Sequence, residues 1–176
     1  MIDLKQDYFA LFGLVPAFSI DMDKLEQAYI DIQARVHPDR FAHLSDTEKR
    51  LSMQWATHAN EAFRTLKGPL TRGHYLLELR GVDPGFDTNT AMSPDFLMEQ
   101  MEWREALGEA TNAADEDALD DLSRRLRQST RALEAELARQ LDDAGDLEGA
   151  ADSVRRMKFL EKLQHEINDA LTALES

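Results

Sequence analysis

The stretch ARVHPDRFAH, Ala34–His43, separates two segments whose apolar residues recur at helical spacing. Upstream, Leu25, Ala28, Tyr29, Ile32 and Val36 form the stripe of a helix that Asp21 or Asp23 can N-cap. Pro38 disfavours the α conformation in the residue before it, so this helix is predicted to end near His37. Downstream, SDTE (Ser45–Glu48) is a capping box in which Ser45 and Glu48 bond free N–H groups reciprocally. The helix it opens carries Leu51, Trp55, His58/Ala59, Ala62/Phe63 and Leu66 as its stripe and is stopped by Gly68-Pro69. His37, Pro38 and Asp39 thus sit at the tip of a helical hairpin, with no pocket expected behind them.

A His and an Asp in one loop suggest general acid/base chemistry, but that needs an orienting third group and a substrate site. No nucleophile or glycine-rich phosphate cradle lies nearby. A metal site would need more ligands than His37 and His43, and the chain has no Cys and no HExxH. The sequence therefore implies no cofactor, no metal and no catalytic residue. As plain loop chemistry, Pro38 sets φ and Asp39 tolerates a turn, which explains each residue but not the three together.

The remaining chain also reads as helix. A short helix over about Asp7–Phe12 is closed by Gly13 and Pro16, and a further piece covers LTRGHYLLELR. GVDPGFDTNTAM, residues 81–92, is dense in turn formers and is the one credible boundary. Beyond it, Ser93-Pro94 starts a helix running to about Ala110. A second helix spans roughly Asp115 to Leu141 on Leu119, Leu122, Leu126, Leu133, Leu137 and Leu141. A third spans about Leu147 to Leu174 on Val154, Met157, Leu160, Leu163, Ile167 and Leu171. The predicted fold is all-α: a helical hairpin over residues 1–80, a linker at 81–92 and a three-helix bundle over 93–176.

The formal charge of −14 is uneven. Residues 1–80 hold 10 Lys/Arg and 11 Asp/Glu, whereas residues 81–176 hold 10 and 23. Such an acidic half repels phosphate backbones, so no nucleic-acid partner is expected. No apolar run approaches the roughly 18 residues of a membrane span, and the N-terminus lacks a signal-peptide pattern, so no membrane association is expected either. The absence of Cys suits a reducing compartment, and a cytoplasmic location is expected.

The helix from Ser93 has more apolar surface than one stripe requires. With Leu97 at zero on a wheel of about 100° per residue, Phe96, Trp103, Leu107 and Ala110 cluster near 220–280° as a core face. Met101 then falls near 40°, Glu105 near 80°, Met98 near 100°, Glu109 near 120° and Glu102 near 140°, a second face both apolar and acidic. Phe159 likewise lies to one side of its helix's stripe. Exposed Met, Leu and Phe ringed by Glu have the composition of an adaptable protein-binding site. Otherwise they are core residues of wide-striped helices.

DYFALFGL (Asp7–Leu14), then a helix, then HPD (His37–Asp39), then a helix ending NEAFRTLKGP (Asn60–Pro69), resembles a J-domain. HPDRFAH, PLTRGHYLLELRG, DFLMEQMEWREAL and AADSVRRMKFLEKL extend the likeness along nearly the whole chain to the HscB family of iron–sulfur cluster co-chaperones. The resemblance implies a non-enzymatic protein with an N-terminal J-domain and a C-terminal three-helix bundle. It implies two partners: the DnaK-class chaperone HscA, whose ATPase it would stimulate, and the cluster scaffold IscU, which it would present. A general J-domain co-chaperone serving a different client is the alternative. On this likeness His37, Pro38 and Asp39 engage the chaperone, and Leu97, Met98, Met101, Glu102, Glu105, Glu109 and Phe159 match the scaffold-binding face. J-domains usually have a markedly basic second helix, but DMDKLEQAYIDIQARV offers only Lys24 and Arg35 against Asp21, Asp23, Glu26 and Asp31. With Arg40 beyond the loop, these are the candidates for charge steering toward the chaperone. Lacking Cys, the chain holds no cluster through thiolates.

Overall fold

The computed structural model describes residues 3–85 and 92–176. The described residues are helical with no strand, the all-α class expected, and the chain divides into two compact units, Met1–Leu79 and Arg80–Ser176. Half of the expected linker, residues 86–91, lies outside the described residues.

In the first unit, α1 (Tyr8–Leu11) is capped by Asp7, whose carboxylate accepts from the Ala10 N–H at 2.9 Å. Gly13 follows at φ 68°, a left-handed turn that a side chain would strain. For α2 (Met22–Val36) the cap is Asp21, which accepts from the N–H groups of Asp23 and Lys24. The helix stops where Pro38 requires: His37 is extended, at φ −59° and ψ 134°. A single 3-10 turn, Pro38–Phe41, leads toward α3 (Asp46–Lys67), which opens with the complete Ser45/Glu48 capping box. Pro69 then starts α4 (Pro69–Leu79).

Phe9, Phe12, Phe18, Leu25, Ile32, Val36, Leu66, Leu76 and Leu77 are buried between these helices. On α3 the buried line differs from the predicted stripe. It runs Ser52, Ala59, Ala62, Leu66, while Leu51, Trp55 and Phe63 are half-buried at its sides. Small side chains let the α2 backbone approach, and Tyr29 of α2 stacks on Phe63 with ring centroids 4.1 Å apart. Arg72 of α4 is buried too. Its guanidinium donates to the carbonyls of Phe18, at 2.6 Å, and Leu66, at 2.7 Å, and lies over the Phe18 ring. The Leu66 carbonyl is one that the end of α3 leaves without a helical partner.

The second unit packs α5 (Pro94–Asn112), α6 (Glu116–Ala138) and α7 (Leu147–Glu175) around one core. Trp103 and Ala110 meet Leu119, Leu122, Leu126, Leu160, Leu163 and Ile167, the heptad positions predicted on α6 and α7. Instead of continuing as an α-helix to Leu141, α6 passes into a π-helical turn, Arg139–Ala144. This turn brings Gln140 inside, where its side chain accepts from the Ser153 hydroxyl at 2.8 Å. Gly145, at φ 64°, reverses the chain, and Asp146 caps α7 through the Gly149 N–H. Arg80 donates to the Leu141 carbonyl and Arg155 to that of Pro84, so residues 80–84 are bonded to this unit.

Candidate partner-docking sites

The tip of the first unit is firm at its root and open at its end. Val36 is buried, and its carbonyl accepts the Ser52 hydroxyl at 2.6 Å, tying the end of α2 to α3. His37 Nδ1 accepts the Asp39 N–H at 3.2 Å, so the imidazole caps the 3-10 turn. Pro38 begins the turn. The Asp39 carboxylate is 92% exposed and 3.6 Å from Nδ1. Asp39 is therefore presented outward on a backbone whose shape is already set, with little water to lose until something docks.

A pocket does lie beside the tip, contrary to expectation. Ile30, Gln33, Ala34, Val36, His37, Arg40, Ala56 and Asn60 line an open cleft of about 670 Å³. The gap opens because Ala34 and Ala56 put little side chain between α2 and α3. Its described lining offers His37 and Arg40 as ionisable groups. Among the described residues no three His, Asp or Glu gather as metal ligands. Arg35, in the last turn of α2, and Arg40, in the 3-10 turn, flank the tip and are exposed. Lys24 is exposed at the far end of α2, roughly 20 Å along the axis at 1.5 Å per residue, and is not brought to the tip.

On α5, Ser93 accepts from the Phe96 N–H and Pro94 opens the helix, which sets the rotation of everything after them. Phe96, Trp103 and Ala110 turn inward; Arg156 lies over the Phe96 ring and Arg125 over Trp103, which fixes both aromatics. Leu97 is 47% exposed, Met98 61% and Met101 71%, and Glu102, Glu105 and Glu109 are exposed as well. The face predicted as surplus to the core is indeed outside it. Phe159 differs. It is half-buried against the core, edge-on to Phe96 with centroids 5.9 Å apart, under the Arg104 guanidinium. It lines a cleft with Gln100, Arg104, Lys158 and Lys162, residues that the search for apolar surplus passed over. The signal was present in sequence, since Arg104 falls about 20° from Leu97 on the same wheel.

A hairpin presenting His-Pro-Asp at its turn, followed by a separate three-helix bundle, defines the class: a J-domain co-chaperone. The chain belongs to the HscB family of these proteins. The co-chaperone protein HscB homolog of Azoarcus sp. (strain BH72) is 63% identical to it over 175 residues, 99% of either chain. The model of the HSCB C-terminal oligomerisation domain matches residues 92–168. Among solved structures, chaperone HscB from Vibrio cholerae matches with a TM-score of 0.85 at 38% identity, covering 96% of this chain and 99% of that one. Human co-chaperone protein HscB matches with a TM-score of 0.88 at 32% identity, covering 94% and 82%. No helix among the described residues is long and apolar enough to cross a membrane.

Proposed function

We propose that this protein is the adaptor of cytoplasmic iron–sulfur cluster assembly: residues 1–80 dock on the chaperone HscA and stimulate its ATPase, while residues 93–176 hold the scaffold IscU. The observation that carries this reading is the exposure of side chains that neither core uses: Asp39 at one site, Leu97, Met98 and Met101 at the other. An outward carboxylate at a fixed tip suits a charge-assisted hydrogen bond to an arginine of the chaperone. Because the turn is already formed through His37, Pro38 and the Ser52 bond, less conformational entropy is lost on docking. Arg35 and Arg40 supply local charge there, and Lys24 long-range steering. Two thioethers beside a Leu make an apolar strip that adapts to a client surface, and Glu102, Glu105 and Glu109 select a basic rim around it. The chain donates no catalytic group. ATP hydrolysis is accelerated by positioning within the chaperone, which then closes on the delivered client.

The test is HscA ATPase activity with this protein, with IscU, and with both. Stimulation by both together well beyond the product of the separate effects is expected. A general J-domain adaptor for another client would stimulate without that synergy, and this outcome would remove the scaffold from the reading.

A further inference from the structure

Where α5 meets α7, two guanidinium groups cover two rings, and each reaches across to the facing helix. Arg156 of α7 lies over Phe96 of α5, 4.8 Å from the ring centroid. Arg104 of α5 lies over Phe159 of α7, 5.5 Å from its centroid. The two rings meet edge-on, so the four side chains form one stack. Each arginine is also tied to an acid of the helix it reaches: Arg156 to Glu99 at 3.4 Å, and Arg104 to Glu166. Asp152, on its own helix, holds Arg156 as well, at 2.9 Å.

The two ends of the stack differ. Phe96 is buried and Arg156 half-buried over it, so that end belongs to the interior of the bundle. Phe159 is only half-buried, and the Arg104 side chain is 42% exposed. Arg104 follows Met101 by three residues and Leu97 by seven, so its side chain leaves α5 along the line of the apolar strip. From there its guanidinium reaches Phe159 and Glu166 on α7. An ion pair this open to water adds little to folding stability. Its effect is to place the guanidinium: Phe159 is held at an edge by Phe96 and on a face by Arg104.

We propose that Arg104 is a positioning residue of the client site: clamped by Glu166, it holds the Phe159 ring at the margin of the Leu97–Met101 strip, so that α5 and α7 present one preformed apolar surface. The inference rests on the scaffold reading above and deepens it. A ring already held in place loses less freedom when a client covers it. The contact of guanidinium and ring also strengthens as docking removes water from it, so its contribution falls on affinity more than on folding.

Titration calorimetry of the full chain with purified IscU tests this. Arg104→Gln is expected to weaken binding by about fivefold, and Glu166→Gln, which frees the guanidinium without removing it, by about twofold. Arg104→Lys, which keeps a cation for the ring, should bind more tightly than Arg104→Gln. Urea unfolding of all three should stay close to the parent. Phe159→Leu keeps an apolar side chain but removes the ring face, so in that background Arg104→Gln should change affinity by less than about twofold. An undiminished effect there would overturn the positioning role, since the guanidinium would then act on the client without the ring. Unchanged affinity in Arg104→Gln, alongside weakened binding in Leu97→Ala/Met101→Ala, would overturn the inference and leave the scaffold reading intact. Unchanged affinity in both would overturn the scaffold reading, and the role of Arg104 with it.

Discussion

Two side chains at the His-Pro-Asp turn divide the work of presenting it. Among the described residues the Asp39 carboxylate is placed only against His37, so Asp39→Asn should leave the melting temperature within a degree or so of the parent while lowering chaperone ATPase stimulation by about tenfold or more. Ser52 does the opposite kind of job. Its buried hydroxyl meets the Val36 carbonyl, and Ser52→Ala leaves that carbonyl without its partner inside the hairpin. A loss of about 1–2 kcal/mol in urea unfolding is expected, with a smaller effect on ATPase stimulation than Asp39→Asn. The exposed place of Asp39 was legible in sequence because Pro38 ends the helix before it and the Ser45/Glu48 box opens the next one after it. Ser52 was not. It sits one position from Leu51, and a stripe drawn through large apolar residues passes over a serine whose value lies in its small size and single hydrogen bond. Arg72 was hidden for a related reason: its acceptors lie on Phe18, far away in sequence, and on Leu66 at the end of another helix.

Helix starts, stops and most core faces followed from local rules, because caps and prolines act on their immediate neighbours. The Leu stripe of α6 was readable over nearly its whole length, but the π turn after Ala138 was not, since one added residue per turn leaves no compositional mark. Two helical glycines have opposite meanings, one of them through that turn. A Cβ at Gly108, within α5, would meet no atom within 4 Å, so Gly108→Ala should stabilise by up to about 1 kcal/mol through helix propensity. A Cβ at Gly149 would come 2.2 Å from an Asp146 carboxylate oxygen and 2.9 Å from Gln140 Nε2. Gly149→Ala therefore breaks the α7 cap and disturbs the Gln140–Ser153 bond, and a net loss of about 1 kcal/mol is expected despite the propensity gain. Urea unfolding of the two variants should shift in opposite directions. At α1 and α4 the linkage is to pH. Tyr8 and Tyr75 stack at 4.5 Å, and burial pushes both phenols above their ordinary value, the charge of Glu61 adding to the effect at Tyr8. A raised folded-state value means that the unfolded chain ionises first. Stability from this pair is then complete below about pH 10 and is lost as pH rises beyond it. Replacing both with Phe should flatten alkaline unfolding above that pH, at the cost of the hydrogen bond from the Tyr8 N–H to the Tyr75 hydroxyl.

At the scale of the molecule, the two candidate sites lie on separate compact units of one chain, and an adaptor depends on that covalent connection. If the first unit stimulates the chaperone and the second holds the client, the client arrives at an effective concentration set by the chain between them, not by its concentration in solution. Two kinds of variant should then fail in different ways. Asp39→Asn should bind IscU with parental affinity and give no synergy. Leu97→Ala/Met101→Ala should retain the stimulation seen without IscU and lose the part that depends on it. Mixing the two proteins provides every intact surface but never both on one chain. Scaffold-dependent synergy is therefore expected to stay absent from the mixture at every ratio, measured as HscA ATPase activity with IscU held constant. Recovery in the mixture would mean that client and co-chaperone act on the chaperone independently, and that the linkage between the two units is not what delivers the client.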